Sequence, residues 1–219
     1  MPHAHDIPAP NLASLAQTDS PRGLLAGFAL RELAKGQLFA TPLKVRDEVF
    51  VVRSGRLRVY LSGESRDLTL SFLEAGDIFT THTPTFIEAV TPAELWVTPT
   101  TNFARRLAVD PGATPEMMRV LGSMLADAVQ LIEDLAFREV PARLARFLLG
   151  LAERRGQQHR NGLLLKLELG TEDIASLLGS TRQTVSSLLN QWQRAGILER
   201  QGRHSLLLRR PEALTALCT

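Results

Sequence analysis

Cysteine is almost missing: the 219 residues hold a single one, Cys218, next to the last position. An intramolecular disulfide, a cysteine-ligated zinc site and a four-cysteine iron–sulfur cluster all need more thiols than that, so one chain can build none of them. Long apolar runs are missing as well. No stretch approaches the roughly 18 residues of a membrane span, and residues 1–10 lack the basic and apolar regions of a secretion signal. The sequence therefore reads as a soluble cytoplasmic protein with no membrane partner. Lysine is scarce, with 3 against 22 arginines, and 23 acidic residues leave a net charge of only +2.

That small net charge hides a division. Residues 1–137 carry 12 basic and 16 acidic side chains, whereas residues 138–219 carry 13 basic and 7 acidic ones. A basic C-terminal third on an acidic body points to a polyanion-binding module joined to something else. With 44% apolar and 22% charged residues, the chain has material for one large core or two ordinary ones, and disorder is excluded.

Four segments follow from the texture of the chain, and together they predict an α+β protein. Residues 1–20, rich in Pro, Ala and Ser, have no sustained period and read as an arm. Residues 21–110 contain short apolar stretches, such as Val49–Val52, Leu57–Leu61, Leu68–Leu73, Phe86–Val90 and Glu94–Thr98, separated by glycine-bearing turns. That pattern predicts antiparallel strands closing into a roll. In residues 111–137 the period turns helical: Met118, Leu121, Leu125, Ala128, Ile132 and Leu135 recur every three or four positions. So narrow a stripe predicts a helix facing an identical helix, hence a homodimer. Pro141 then opens a second amphipathic helix inside the basic segment, residues 138–219.

Within that segment Thr171–Gly179 begins with a cap-type residue and acids and ends on glycine, and Ser180–Leu189 follows at once. Two short helices meeting at a glycine turn have the form of a helix-turn-helix. Arg182 has the fork geometry for guanine, Gln183 can pair with adenine, and the hydroxyls of Thr181, Thr184 and Ser187 can reach phosphates. Gly196–Leu208 reads as a β-hairpin wing. Charge, turn and wing together indicate binding to double-stranded DNA.

The module resembles the winged helix of the Crp/Fnr superfamily of bacterial transcription factors, and the order of roll, dimer helix and winged helix matches across nearly the whole chain. Members that bind cyclic nucleotides hold the phosphate with an arginine in the roll, in the region that corresponds here to Gly76–Val90. No arginine occurs there. The same region holds His82, which has no other histidine between residues 6 and 158. An isolated histidine is usually a satisfied core or surface residue. The stretches Glu48–Leu61, Ala75–Phe79, Phe86–Ala89, Ile132–Leu135 and Thr181–Thr184, however, resemble the haem-containing, carbon-monoxide-sensing branch of the superfamily.

That resemblance implies a haem b held by His82, with the second ring nitrogen oriented by the residue at Asp47, where relatives carry asparagine. A carboxylate there is expected to lower the iron potential. It also implies that Thr80 stands where some relatives have a ligating cysteine, so no thiolate switch operates. The N-terminal amine of the partner subunit serves as the other ligand, here Pro2 after loss of Met1, with His3 and His5 as rivals. Carbon monoxide would then sit against Met117, Met118, Leu121, Gly122 and Leu125. A pseudo-palindromic operator, activation of transcription and contact with RNA polymerase are implied too. The competing expectation is a Crp/Fnr regulator with another effector, a cyclic nucleotide or none, in which His82 is structural. A cupin-like enzyme would need several roll histidines and is set aside.

Overall fold

The computed structural model describes residues 25–218 apart from 44–45, 111, 168 and 203–204. The chain divides into two compact units. One holds the strands before Gly63 together with Leu70–Ala128; the other holds Gly63–Thr69 with Val129 onward. The boundary falls inside the long helix rather than at its end, and the tip of one hairpin belongs to the C-terminal unit.

The first unit is antiparallel β structure, with strands β1 (Ala29–Leu33), β2 (Leu38–Ala40), β3 (Glu48–Ser54), β4 (Leu57–Ser62), β5 (Asp67–Leu73), β6 (Ile78–Thr80), β7 (Phe86–Ala89) and β8 (Ala93–Pro99). Two four-stranded sheets result, ordered β1-β8-β3-β6 and β2-β7-β4-β5. β3 is central and carries four successive buried residues, Val49 to Val52, which explains its unbroken apolar run. β4 alternates, burying Leu57 and Val59. Phe50, Leu57, Ile87 and Leu95 are fully buried, and Phe39 meets Phe50 edge-on with ring centroids 4.9 Å apart.

Gly76, at φ 96°, turns the chain into β6. Beside it Asp77 is only 4% exposed, and its Oδ2 accepts the Glu74 N–H at 2.7 Å. Burial pushes the carboxyl up to about 6 from an ordinary 3.8, against the lowering effect of that hydrogen bond. A carboxyl whose folded pKa is raised loses stability as pH climbs from the unfolded value to the folded one, between about 4 and 6. Asp77→Asn keeps an acceptor and removes the charge. It is expected to stabilise the fold by about 1–3 kcal/mol at pH 8 and not at pH 4. Urea unfolding at both values checks this, and equal effects would contradict it.

Helix α1 (Thr100–Val109) follows β8, and α2 (Ala113–Phe137) is the long helix anticipated from the apolar period. α1 has no counterpart in the sequence reading, because its polar start hides the single buried Phe103. Along α2, Ala113 and Val120 are buried against Val49, Val51, Ile78 and Phe103, with Met117 and Met124 packed on the same cluster. The stripe read as a seam points the other way: Met118, Leu121, Leu125 and Ile132 are 65%, 55%, 66% and 64% exposed.

The second unit contains α3 (Val140–Arg155), β9 (Gln157–His159), β10 (Gly162–Lys166), α4 (Thr171–Leu177), α5 (Arg182–Arg194), β11 (Leu198–Arg200), β12 (Ser205–Leu208) and α6 (Pro211–Thr215). Its sheet runs β11-β12-β10-β9, so the anticipated wing is joined by a hairpin that the sequence reading did not contain. Leu144, Leu148, Leu165, Ile174, Val185, Leu189 and Trp192 form one core. Where α2 gives way to α3, Arg138 donates to Asp134 and Glu133, each at 2.7 Å.

Candidate DNA interface and histidine site

α4 and α5 build the DNA-reading end. α4 begins one residue earlier than Thr171 suggested: Gly170 is its N-cap, and the Asp173 carboxylate reaches back to the Gly170 N–H at 2.9 Å. Gly179 takes φ 57° in the turn, and a Cβ there would come within 2.8 Å of Leu135 Cδ2 and 3.3 Å of Leu68 Cδ1. Gly179→Ala thus combines left-handed strain with crowding, and is expected to cost about 1–3 kcal/mol in thermal unfolding. A variant as stable as the wild type would contradict the turn geometry.

α5 buries Val185, Leu189 and Trp192 and leaves Arg182, Gln183 and Ser187 exposed at its start. Thr181 acts first as the cap: its Oγ1 accepts the Thr184 N–H at 3.1 Å, and the two hydroxyls lie 2.8 Å apart. Of the five residues expected at DNA, Thr181, Arg182, Gln183 and Ser187 are exposed and Thr184 is half-buried, with the hydroxyls of Thr181 and Thr184 turned on each other. Arg182→Ala is expected to relax base preference by about 1–3 kcal/mol at one position, read by competition among operator variants; a uniform loss across sequences would exclude direct readout.

In the roll unit, β6 pairs with β3 so that Thr80 stands opposite Val49. The next residue, Thr81, pins the crossing: its N–H donates to Glu48 O at 3.0 Å, its Oγ1 accepts the Glu48 N–H at 3.1 Å, and the same hydroxyl donates to Arg46 O. This brings Asp47 and His82, 35 positions apart, into contact: His82 Nε2 lies 2.6 Å from Asp47 Oδ1. The other ring nitrogen, Nδ1, lies 2.5 Å from Thr80 Oγ1. Both side chains are open to solvent, at 46% for His82 and 64% for Asp47. The Thr100 hydroxyl and His82 together hold the Asp47 carboxyl below its usual range.

The sequence reading brought His82 and Asp47 together and the structure does the same. Thr80, considered only as a residue that cannot supply a thiolate, turns out to touch the ring. Its position two residues before the histidine was the available signal, since hydroxyls at short spacing commonly bond back to local groups. The five residues expected around an effector do not share a face: Met117 packs inward, whereas Met118, Leu121, Gly122 and Leu125 are exposed. A Cβ on Gly122 would meet nothing within 4 Å. Pro2, His3 and His5 lie outside the described residues.

Among the described residues no three His, Cys, Asp or Glu side chains converge on a point, so a metal held by side chains alone finds no ligand set. One accessible imidazole is a different donor set. It suits haem, whose macrocycle provides four of the iron's ligands and asks the protein for one or two. In this respect the residues present fit the group. No described helix is long and apolar enough to cross a membrane.

Residues 142–217 match the model of the Crp-like helix-turn-helix domain. The chain belongs to the Crp/Fnr family, whose members are dimeric DNA-binding transcription regulators and not enzymes. Within the family it lies near CooA. A CooA double mutant from Carboxydothermus hydrogenoformans is 38% identical, with a TM-score of 0.90 over 100% of both chains. The CO-dependent transcription factor CooA from the same organism, in an imidazole-bound form, is 39% identical over 95% of this chain and 96% of that one, with a TM-score of 0.55. A CRP-like cAMP-activated global transcriptional regulator of Mycobacterium tuberculosis is 28% identical over 169 residues, 74% of this chain and 75% of its own.

Proposed function

We propose that this Crp/Fnr regulator is a haem-dependent sensor of carbon monoxide. The observation that carries the reading is His82: the single histidine of the roll stands at an accessible rim, oriented by two neighbours, in a chain 38% identical to a CooA structure. His82 would hold a haem b, and Pro2 of the partner subunit would supply the weaker ligand, with His3 and His5 as alternatives. Bound haem supplies a ferrous iron that takes carbon monoxide at one axial position. The chain's own part is to orient the imidazole and to offer Met118, Leu121, Gly122 and Leu125 of α2, with Met117 beneath, as an apolar face.

The exposed seam of α2 pairs two copies. A shift of the paired helices would alter how the two winged helices meet a pseudo-palindromic operator, so a ligand that favours one arrangement favours DNA binding. Arg182, Gln183 and Ser187 would read or hold DNA, Thr181 and Thr184 would shape the helix start, and activation through RNA polymerase would follow. The cytoplasm is where such a regulator works.

A second reading keeps the DNA end and makes His82 structural, with another effector in the roll. It is favoured by the fact that both ring nitrogens already have partners. The absorption spectrum of the purified chain, reduced, with added haem and then carbon monoxide, separates the two. A shifted Soret band on each addition supports the haem sensor, and a chain that takes up no haem leaves the second reading.

A further inference from the structure

This inference rests on the haem reading and concerns which neighbour of His82 stays with the ring when iron arrives. The two contacts differ in kind. The Thr80 hydroxyl has one proton and two lone pairs, and with the proton on Glu48 O at 3.2 Å it offers lone pairs to its other neighbours. It accepts the His82 backbone N–H at 3.3 Å and faces Nδ1 at 2.5 Å, so an Nδ1–H finds its acceptor there once Nε2 is given to iron. Thr80 sits at the end of β6, tied to β3 through that carbonyl, and is separated from the histidine by one residue. Nothing approaching from solvent needs to part them.

Asp47 is held differently. It precedes β3, its side chain is 64% exposed, and it reaches Nε2 from a segment 35 positions away in the chain. It also has somewhere else to go. The Thr100 N–H donates to Asp47 O at 2.9 Å, which places the first turn of α1 beside it. The Thr100 Oγ1 is buried without a full hydrogen bond, and it lies near enough to the Asp47 carboxylate to help hold its pKa down. A buried hydroxyl left short of a partner is costly and gains from a small rotation of the carboxylate toward it.

We propose that Thr80 is the positioning residue that holds Nδ1 of His82 in both states, and that Asp47 caps Nε2 in the haem-free chain and turns to Thr100 when that nitrogen is required. The role that resemblance assigns to Asp47, orienting the ligand through the second nitrogen, belongs here to a neutral hydroxyl. The carboxylate instead competes with the incoming group.

The test compares wild type with Asp47→Ala, Thr80→Val and Thr80→Ser. In the haem-free proteins, nitrogen-15 shifts of the His82 ring are read by NMR. Thr80→Val is expected to move the Nδ1 signal and Thr80→Ser to restore it, while Asp47→Ala moves Nε2. On titration with haem, Asp47→Ala is expected to take it up several-fold faster with an unchanged midpoint potential. Thr80→Val is expected to lose about 10-fold in affinity, the scale seen when a ligand's hydrogen-bond partner is removed, and to shift the potential. The reverse pattern, a potential shift in Asp47→Ala with Thr80→Val like wild type, overturns the assignment while leaving the haem reading standing. A wild-type chain that takes up no haem overturns the haem reading, and this assignment falls with it.

Discussion

On the haem-sensor reading, His82→Ala is expected to abolish the six-coordinate ferrous spectrum and the carbon monoxide response while leaving the roll folded. The side chain is 46% exposed and contributes no packing to the buried cluster around Phe50 and Leu57, so its removal costs only surface hydrogen bonds. The loss falls instead on haem affinity. Removing the residue that orients a metal ligand already costs about 10- to 100-fold, and removing the ligand itself should exceed that, giving no saturable uptake at micromolar haem. No substitute stands nearby: Thr80 cannot act as a thiolate, Cys218 is a half-buried thiol of the other unit whose pKa burial pushes up, and no second histidine lies in the described roll. DNA binding by the variant should then be indifferent to carbon monoxide. The measurement is a haem titration followed by absorption, with circular dichroism to verify the fold. A variant that binds haem like wild type would give the ligand role to another residue.

The double variant Leu125→Glu with Ile132→Glu is expected to convert a dimer into folded monomers and to reduce operator affinity by more than 100-fold. Both residues lie on the outward stripe of α2, 66% and 64% exposed, so a charge there meets water in an isolated chain and barely alters its stability. If two copies pair through the stripe, the same substitutions remove apolar burial worth about 1.5–3 kcal/mol per side chain and place like charges opposite each other. With two side chains lost from each protomer, the dissociation constant should rise by three or more orders of magnitude. Sedimentation equilibrium and binding to a two-half-site operator read the two effects separately. A variant that remains dimeric would show that the stripe serves another purpose.

Much of the fold was legible in the residues because it depends on period and punctuation. The alternation in Leu57–Leu61, the unbroken run at Val49–Val52 and the seam of α2 each correspond to an element of the expected type. The glycine turn at Gly179 stops α4 where a left-handed residue was needed. What escaped notice lacked such a signature. α1 buries one aromatic residue in a polar helix, and the β9–β10 hairpin presents exposed Gln157–His159 on one strand, so neither shows a clear face. The cap of α4 moved to Gly170 because Asp173 satisfied its N–H, a choice made by a side chain and not by cap preference alone.

The residues by themselves determined that no thiolate or multi-cysteine chemistry operates in the roll, that the charge is divided between an acidic body and a basic DNA-binding end, and that one histidine carries whatever imidazole chemistry the roll has. These are matters of composition and order. Only the tertiary structure decided what that histidine touches. Pairing of β3 with β6 sets Asp47 against Nε2 and leaves Nδ1 to Thr80, and the register of α2 turns Met117 inward while its neighbour Met118 faces out. Hydrogen bonds between residues 35 positions apart follow from strand register, and ångström-scale register has no counterpart in spacing along the chain.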